Sequence, residues 1–130
     1  MSVVGAPALW SGGRALLVED NAIVALNAED MLLALGFERV DKAAAVAEAL
    51  RLARTHSYAA ALVDRMVRDG DAAPVARLLI GAGVPLVFAT GYDDDIPLGL
   101  DGAVRLAKPY DEESLRAALS EARGRTTPKR

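Results

Sequence analysis

The 130-residue chain has no cysteine and a single histidine, His56. The first absence removes disulfides, thiol nucleophiles and Cys-ligated zinc or iron–sulfur centres. The second leaves no basis for a histidine metal cage or a Ser-His-Asp triad. Aromatic residues make up only 5% of the chain, and no apolar run approaches the roughly 20 residues that a membrane-spanning helix needs. There is no excess of positive charge: the net charge of −3 gives no whole-domain attraction to nucleic acid, and no binding to membrane is expected. A basic start followed by an apolar signal core is also missing, so the expected compartment is the cytoplasm. What is present is 52% apolar and 25% charged, the balance of one globular domain able to bury its own core.

Residues 1–13 hold Gly5, Pro7, Gly12 and Gly13 around Trp10 and are expected to form a flexible leader, with Trp10 lying against the domain surface. A strand pattern covers residues 14–18 and runs into Glu19-Asp20. Apolar residues then recur at helical spacing over 21–35 until Gly36 stops the helix, with Asn21 as its cap. A second strand is predicted at 37–40 and a second helix at 43–54. Residues 59–64, Ala-Ala-Ala-Leu-Val-Asp, read as a strand buried on both faces that ends on a carboxylate. A polar turn containing Asp69-Gly70 follows. Pro74 suits the first turn of a helix running to residue 80, and Gly81-Ala82-Gly83 ends it. Residues 84–90 form a fourth apolar strand ending in Thr90. Residues 91–101 are rich in Gly, Asp and Pro, so any helix there is short. A fifth strand at 103–107 precedes Lys108-Pro109-Tyr110. Asp111 caps a last helix over 112–123, and a basic tail, 124–130, is expected to be disordered. Strands and helices alternate, which predicts an α/β domain: a five-stranded parallel sheet flanked by helices on both faces.

Parallel strands bring their carboxyl ends to one edge, where open α/β sheets bind ligands. That edge would collect Glu19, Asp20, Asp64, Thr90 and Lys108. Each acid taken alone is as well explained by helix capping or solvation. Three clustered carboxylates repel one another unless a cation joins them, and an all-oxygen donor set points to Mg²⁺. A metal, a nucleophilic carboxylate, an ammonium and a hydroxyl together suit phosphoryl transfer through an aspartyl phosphate.

Over residues 14–123 the chain resembles a bacterial response-regulator receiver domain, which has a flavodoxin-like fold. The motifs that carry the resemblance are Leu-Val-Glu-Asp (17–20), Ala-Leu-Val-Asp (61–64) with Asp69-Gly70, Ala-Thr-Gly (89–91) and Lys108-Pro109. The resemblance implies that Glu19 and Asp20 hold Mg²⁺ together with Asp64 and the backbone carbonyl of Met66. It makes Asp64 the phosphoacceptor, Thr90 the switch hydroxyl and Lys108 the phosphate-binding lysine, with Lys108-Pro109 often cis. The implied partners are a sensor histidine kinase or histidine phosphotransfer protein and an unidentified downstream protein, with a homodimer also open. The run Phe88-Ala89-Thr90-Gly91-Tyr92 together with Lys108-Pro109-Tyr110 is similar to a subgroup with an F-A-T-G signature, rich in stand-alone receivers. No second domain follows, so output is expected through protein contacts.

The sequence departs from the general pattern at two positions. Arg105 stands where most receivers have an aromatic switch residue, and Arg68 where most have proline. Arg105 is either a switch of another kind or a solvated strand residue. Tyr92 either shields the phosphate or packs on its loop, and His56 reads as an ordinary loop residue. A competing function is a receiver-like protein-binding module that is never phosphorylated. A haloacid-dehalogenase-like phosphohydrolase ranks below it, because Met66 occupies the position of that family's second acid.

Overall fold

The computed structural model describes residue 10, residues 12–91 and residues 100–125. Its elements, in order, are β1 (Arg14–Val18), α1 (Ala22–Ala34), β2 (Arg39–Ala43), α2 (Val46–Thr55), β3 (Ala60–Asp64), β4 (Met66–Val67), β5 (Gly70–Asp71), α3 (Ala73–Gly81), β6 (Leu86–Thr90), β7 (Val104–Ala107) and α4 (Glu112–Arg125). Five strands form one parallel sheet in the order β2-β1-β3-β6-β7, while β4 and β5 make a small antiparallel hairpin. This is the predicted flavodoxin-like α/β sheet, with β1 at the point where strand order reverses.

Alternation along the strands builds two cores. Ala15, Leu17, Leu62, Val87 and Leu106 face α1 and α4. Leu16, Val18, Val63, Leu86 and Phe88 face α2 and α3. Both faces are covered, which is why β3 and β6 read as unbroken apolar runs.

Helix ends follow local chemistry. Asn21 Oδ1 accepts from the amides of Ile23 and Val24, capping α1 as predicted. At the other end Gly36 takes a φ of +115°, and the amides of Gly36 and Phe37 bond to the carbonyls of Leu33 and Leu32. This double reverse bond is a Schellman motif, open to glycine because it has no Cβ. Gly83 ends α3 in the same way. Asp111 and Ser114 cap α4 reciprocally, each side chain accepting from the other's amide.

Several boundaries differ from expectation. The second strand runs over Arg39–Ala43 rather than 37–40, because Phe37 closes the Schellman motif and β2 pairs with β1 along its whole length. The second helix therefore starts at Val46, not at residue 43. The last helix reaches Arg125, past the predicted end at 123: the Arg125 guanidinium donates to the carbonyls of Asp101 and Ala103 and pairs with Glu121 at 2.6 Å. Trp10 does not merely lie on the surface. It is 6% exposed, stacks on Phe37 at 4.7 Å and carries Arg123 over its ring at 4.7 Å. Residues 1–9 and 11 of the leader, residues 92–99 of the stretch where any helix is expected to be short, and the tail 126–130 lie outside the described residues.

Candidate functional site

The carboxyl edge of the sheet gathers the polar residues that end its strands. The amide of Glu19 donates to the Ala43 carbonyl at 2.9 Å, prolonging the β1 ladder by one step. Its side-chain Oε2 accepts from the amide of Asn21 at 3.0 Å, so the acid is wedged between strand end and helix start. Asp64 closes β3 in register with Ala89, which places Thr90 one residue further along the neighbouring strand. The amide of Lys108 donates to the Thr90 carbonyl at 3.0 Å, and the Lys108–Pro109 peptide is cis.

Carboxylate oxygens of Glu19, Asp20 and Asp64 lie within 4.8 Å of one another. Lys108 Nζ reaches Asp64 Oδ2 at 2.7 Å and Glu19 Oε1 at 3.6 Å. Burial works against the lysine's charge, but the hydrogen bond and charge of Asp64, reinforced by Glu19, outweigh it and hold the ammonium above its ordinary pKa. Glu19 is also shifted upward, which for a carboxylate disfavours the charged form. Burial raises its pKa, the Asn21 amide offsets part of this, and the charge of Asp64 raises it further. Three acids against one ammonium leave two negative charges uncompensated in a partly buried pocket. A divalent cation would balance them, and the all-oxygen donors fit Mg²⁺.

Thr90 is 1% exposed, and its Oγ1 has no hydrogen-bond partner among the described residues. A buried hydroxyl left unpaired costs free energy, which is tolerated where the group has a task outside the resting fold. Met66 begins the hairpin two residues beyond Asp64, its side chain 55% exposed and its backbone paired with Asp71. Arg105 is exposed and donates to the Gly91 carbonyl at 3.3 Å, tying β7 to the segment that follows Thr90. His56 caps the far end of α2 and meets Tyr58 edge-on at 6.2 Å. Arg68 is exposed in the hairpin turn, and Tyr92 lies outside the described residues.

Two residues that the motifs name without a role of their own border the site. Tyr110 has its hydroxyl pKa pushed up to about 12, by burial first and then by the charges of Glu19 and Asp64. Its place directly after Lys108-Pro109 was the available signal. Asp69 accepts from the amides of Val46 and Ala47 at 2.6 and 3.3 Å, capping α2 from the hairpin after Asp64. A separation of 23 residues leaves no local trace of that contact.

No family model matches the chain, and no curated protein does. Solved structures do. SdrG from Sphingomonas melonis Fr1 is 32% identical, with 84% of this chain and 94% of that one covered at a TM-score of 0.73. The receiver domain of sensor histidine kinase PA1611 from Pseudomonas aeruginosa PAO1, solved with a magnesium ion in its active-site cleft, is 28% identical over 88% of this chain and 99% of its own, with a TM-score of 0.70. A CheY-like response-regulator receiver domain from Methylobacillus flagellatus is 25% identical over 86% and 99%, at 0.72. Sheet order, the acidic pocket with its lysine and these likenesses across most of the chain agree: the chain belongs to the response-regulator receiver domains of two-component systems, which are signalling domains.

Proposed function

We propose that Asp64 accepts a phosphoryl group from a phosphohistidine on a sensor histidine kinase or histidine phosphotransfer protein. The observation that carries this reading is the convergence of Glu19, Asp20 and Asp64 with the Lys108 ammonium at one sheet edge. Glu19, Asp20, Asp64 and the Met66 carbonyl would hold Mg²⁺, which supplies electrostatic stabilisation of the transferring oxygens when bound. The magnesium-bearing cleft of the PA1611 receiver supports this assignment.

In the transfer, the N–P bond of the donor breaks as an O–P bond forms to an Asp64 carboxylate oxygen, and the departing ring leaves as neutral imidazole, its one proton taken from solvent or already carried on its other nitrogen. Lys108 rests on Asp64 Oδ2 and needs only a short shift to meet an oxygen of the incoming group. Thr90 brings a hydroxyl that has no hydrogen-bond partner among the described residues. The domain thereby promotes its own phosphorylation and the later hydrolysis. A protein donor has an apolar landing place beside the pocket, where α1 exposes Ile23 and Leu26 at 74% and 56%. The phosphorylated form then signals through contacts with a downstream protein in the cytoplasm. The Phe88-Ala89-Thr90-Gly91 run supports membership of the F-A-T-G subgroup as part of this reading.

A second reading, a binding module that is never phosphorylated, draws on Arg105, which replaces the usual aromatic and fastens the Gly91 carbonyl. Incubation with a phosphohistidine protein and Mg²⁺ separates the two. Transfer to the wild-type chain but not to Asp64→Asn supports the phosphoacceptor. Undetectable transfer alongside tight partner binding supports the module.

A further inference from the structure

The hairpin after Asp64 is held at both ends. At its base the Arg65 amide donates to the Ala89 carbonyl at 3.3 Å, the Ala72 amide donates to the Arg65 carbonyl at 2.7 Å, and the Arg65 guanidinium meets Asp71 at 3.5 Å. At its tip the turn Arg68-Asp69 reaches across to another element. Asp69 Oδ1 accepts from the Val46 amide at 2.6 Å and Oδ2 from the Ala47 amide at 3.3 Å.

Helix α2 has a vacancy for this carboxylate. Its N-cap residue is Ala45, whose side chain offers no acceptor, although its backbone takes the extended conformation (φ −147°, ψ 155°) that a capping residue needs. Glu48 bonds the Ala44 amide, not the first amides of the helix. The donors at Val46 and Ala47 are therefore met from outside, by an anion at the positive end of the helix dipole. The amide bonds hold the Asp69 carboxyl below its usual range.

The same hairpin begins with Met66, only two residues beyond Asp64. Its strands are two residues each, too short to hold their position without outside anchors. We propose that Asp69 is a positioning residue for the acidic pocket: by capping α2 it fixes the hairpin whose first residue borders Asp64, and it thereby couples cation binding in the pocket to the order of the α2 N-terminus. The inference rests on the reading of Glu19, Asp20 and Asp64 as a divalent-cation site. Linkage makes the coupling reciprocal. If tethering α2 tightens the pocket, filling the pocket tightens the tether.

The experiment uses the full chain with Mg²⁺ alone as the probe, and reads two quantities: the Mg²⁺ dissociation constant by calorimetry and amide hydrogen exchange at Val46 and Ala47 with and without the ion. Asp69→Ala is expected to weaken Mg²⁺ binding by about fivefold or more. Asp69→Asn, which keeps a carbonyl acceptor, should restore most of that loss. In the wild type Mg²⁺ should slow exchange at both amides, and in Asp69→Ala it should not. The double variant Asp69→Ala with Ala45→Asp gives α2 a cap of its own while leaving the hairpin tip untethered. Slow exchange with Mg²⁺ binding still weakened is the expected result, and it also answers for a single variant too unstable to measure. Wild-type Mg²⁺ affinity in Asp69→Ala, or full recovery of affinity in the double variant, would reduce Asp69 to a helix cap and overturn the proposal. A wild-type chain that binds no Mg²⁺ at millimolar concentration would overturn the cation site itself, and the coupling with it; the wild-type arm alone shows which has failed.

Discussion

Lys108 Nζ lies 2.7 Å from Asp64 Oδ2, although 44 residues separate them along the chain. The contact joins the carboxyl ends of β3 and β7, which are not neighbours in the sheet; β6 lies between them. The long lysine side chain crosses that gap and also meets Glu19 at 3.6 Å. The pocket of three carboxylates is thus partly neutralised by one ammonium.

Thr90 separates stability from function. Replacing it by valine keeps the volume and removes the buried hydroxyl that has no partner among the described residues. Thr90→Val is expected to be neutral or more stable by about 1 kcal/mol in chemical denaturation. The same variant should lose the hydrogen bond to the phosphoryl group, and its phosphorylation or dephosphorylation rate should change severalfold. A large loss of stability would mean that the hydroxyl is bonded in the resting fold.

Glu19 gives the pH dependence a definite sign. Its folded pKa is raised above 4.5, so its contribution to stability is fully present below that value and is lost as pH rises through the folded pKa. Without metal, ionising Glu19 in the folded chain is therefore a cost. Glu19→Gln, which keeps an acceptor for the Asn21 amide, should melt a few degrees higher than wild type in a chelator and gain far less from added Mg²⁺. A lower melting temperature in chelator would contradict this.

Asp41 shows the opposite case, away from the site. Burial tends to raise its pKa, but hydrogen bonds from Tyr58, Arg39 and Arg14 outweigh this and hold it below 3.8. The stability it contributes is present above 3.8 and lost as pH falls through the lower folded value. Asp41→Asn should be destabilised at pH 7, and the difference from wild type should shrink in strong acid. Urea titrations at several pH values check this.

Trp10 tests whether the segment before β1 is part of the domain. It is buried, with Phe37 against its ring and Arg123 over it, and its amide donates to the Leu35 carbonyl at 3.2 Å. Trp10→Ala should cost about 3 kcal/mol, as for a large core aromatic. A loss near 0.5 kcal/mol or less would be that of a surface residue.

The fold and most of the pocket could be read from the sequence for one reason. Strands buried on both faces are apolar throughout, so a polar residue at the end of such a run, as at Glu19, Asp64 or Thr90, stands out and marks the active edge. Boundaries of β2 and α2 were misplaced because Phe37 looks like a strand residue but closes a helix. Only pairing with β1 decides where β2 stops. The contacts of Trp10 and Asp69 are not legible for a related cause: glycines around the first and a turn around the second describe local chain shape, whereas both residues act through partners far along the chain.

The most direct test of the central claim is to locate the phosphoryl group. The full chain is treated with a small acyl-phosphate donor in Mg²⁺ or in chelator, then digested and mapped by mass spectrometry. One phosphoryl group on the peptide containing Asp64, labile to alkali as an acyl phosphate and absent in chelator, is the predicted result. Modification at His56 or at a hydroxyl residue, or none at all from a chain that demonstrably binds Mg²⁺, would contradict it.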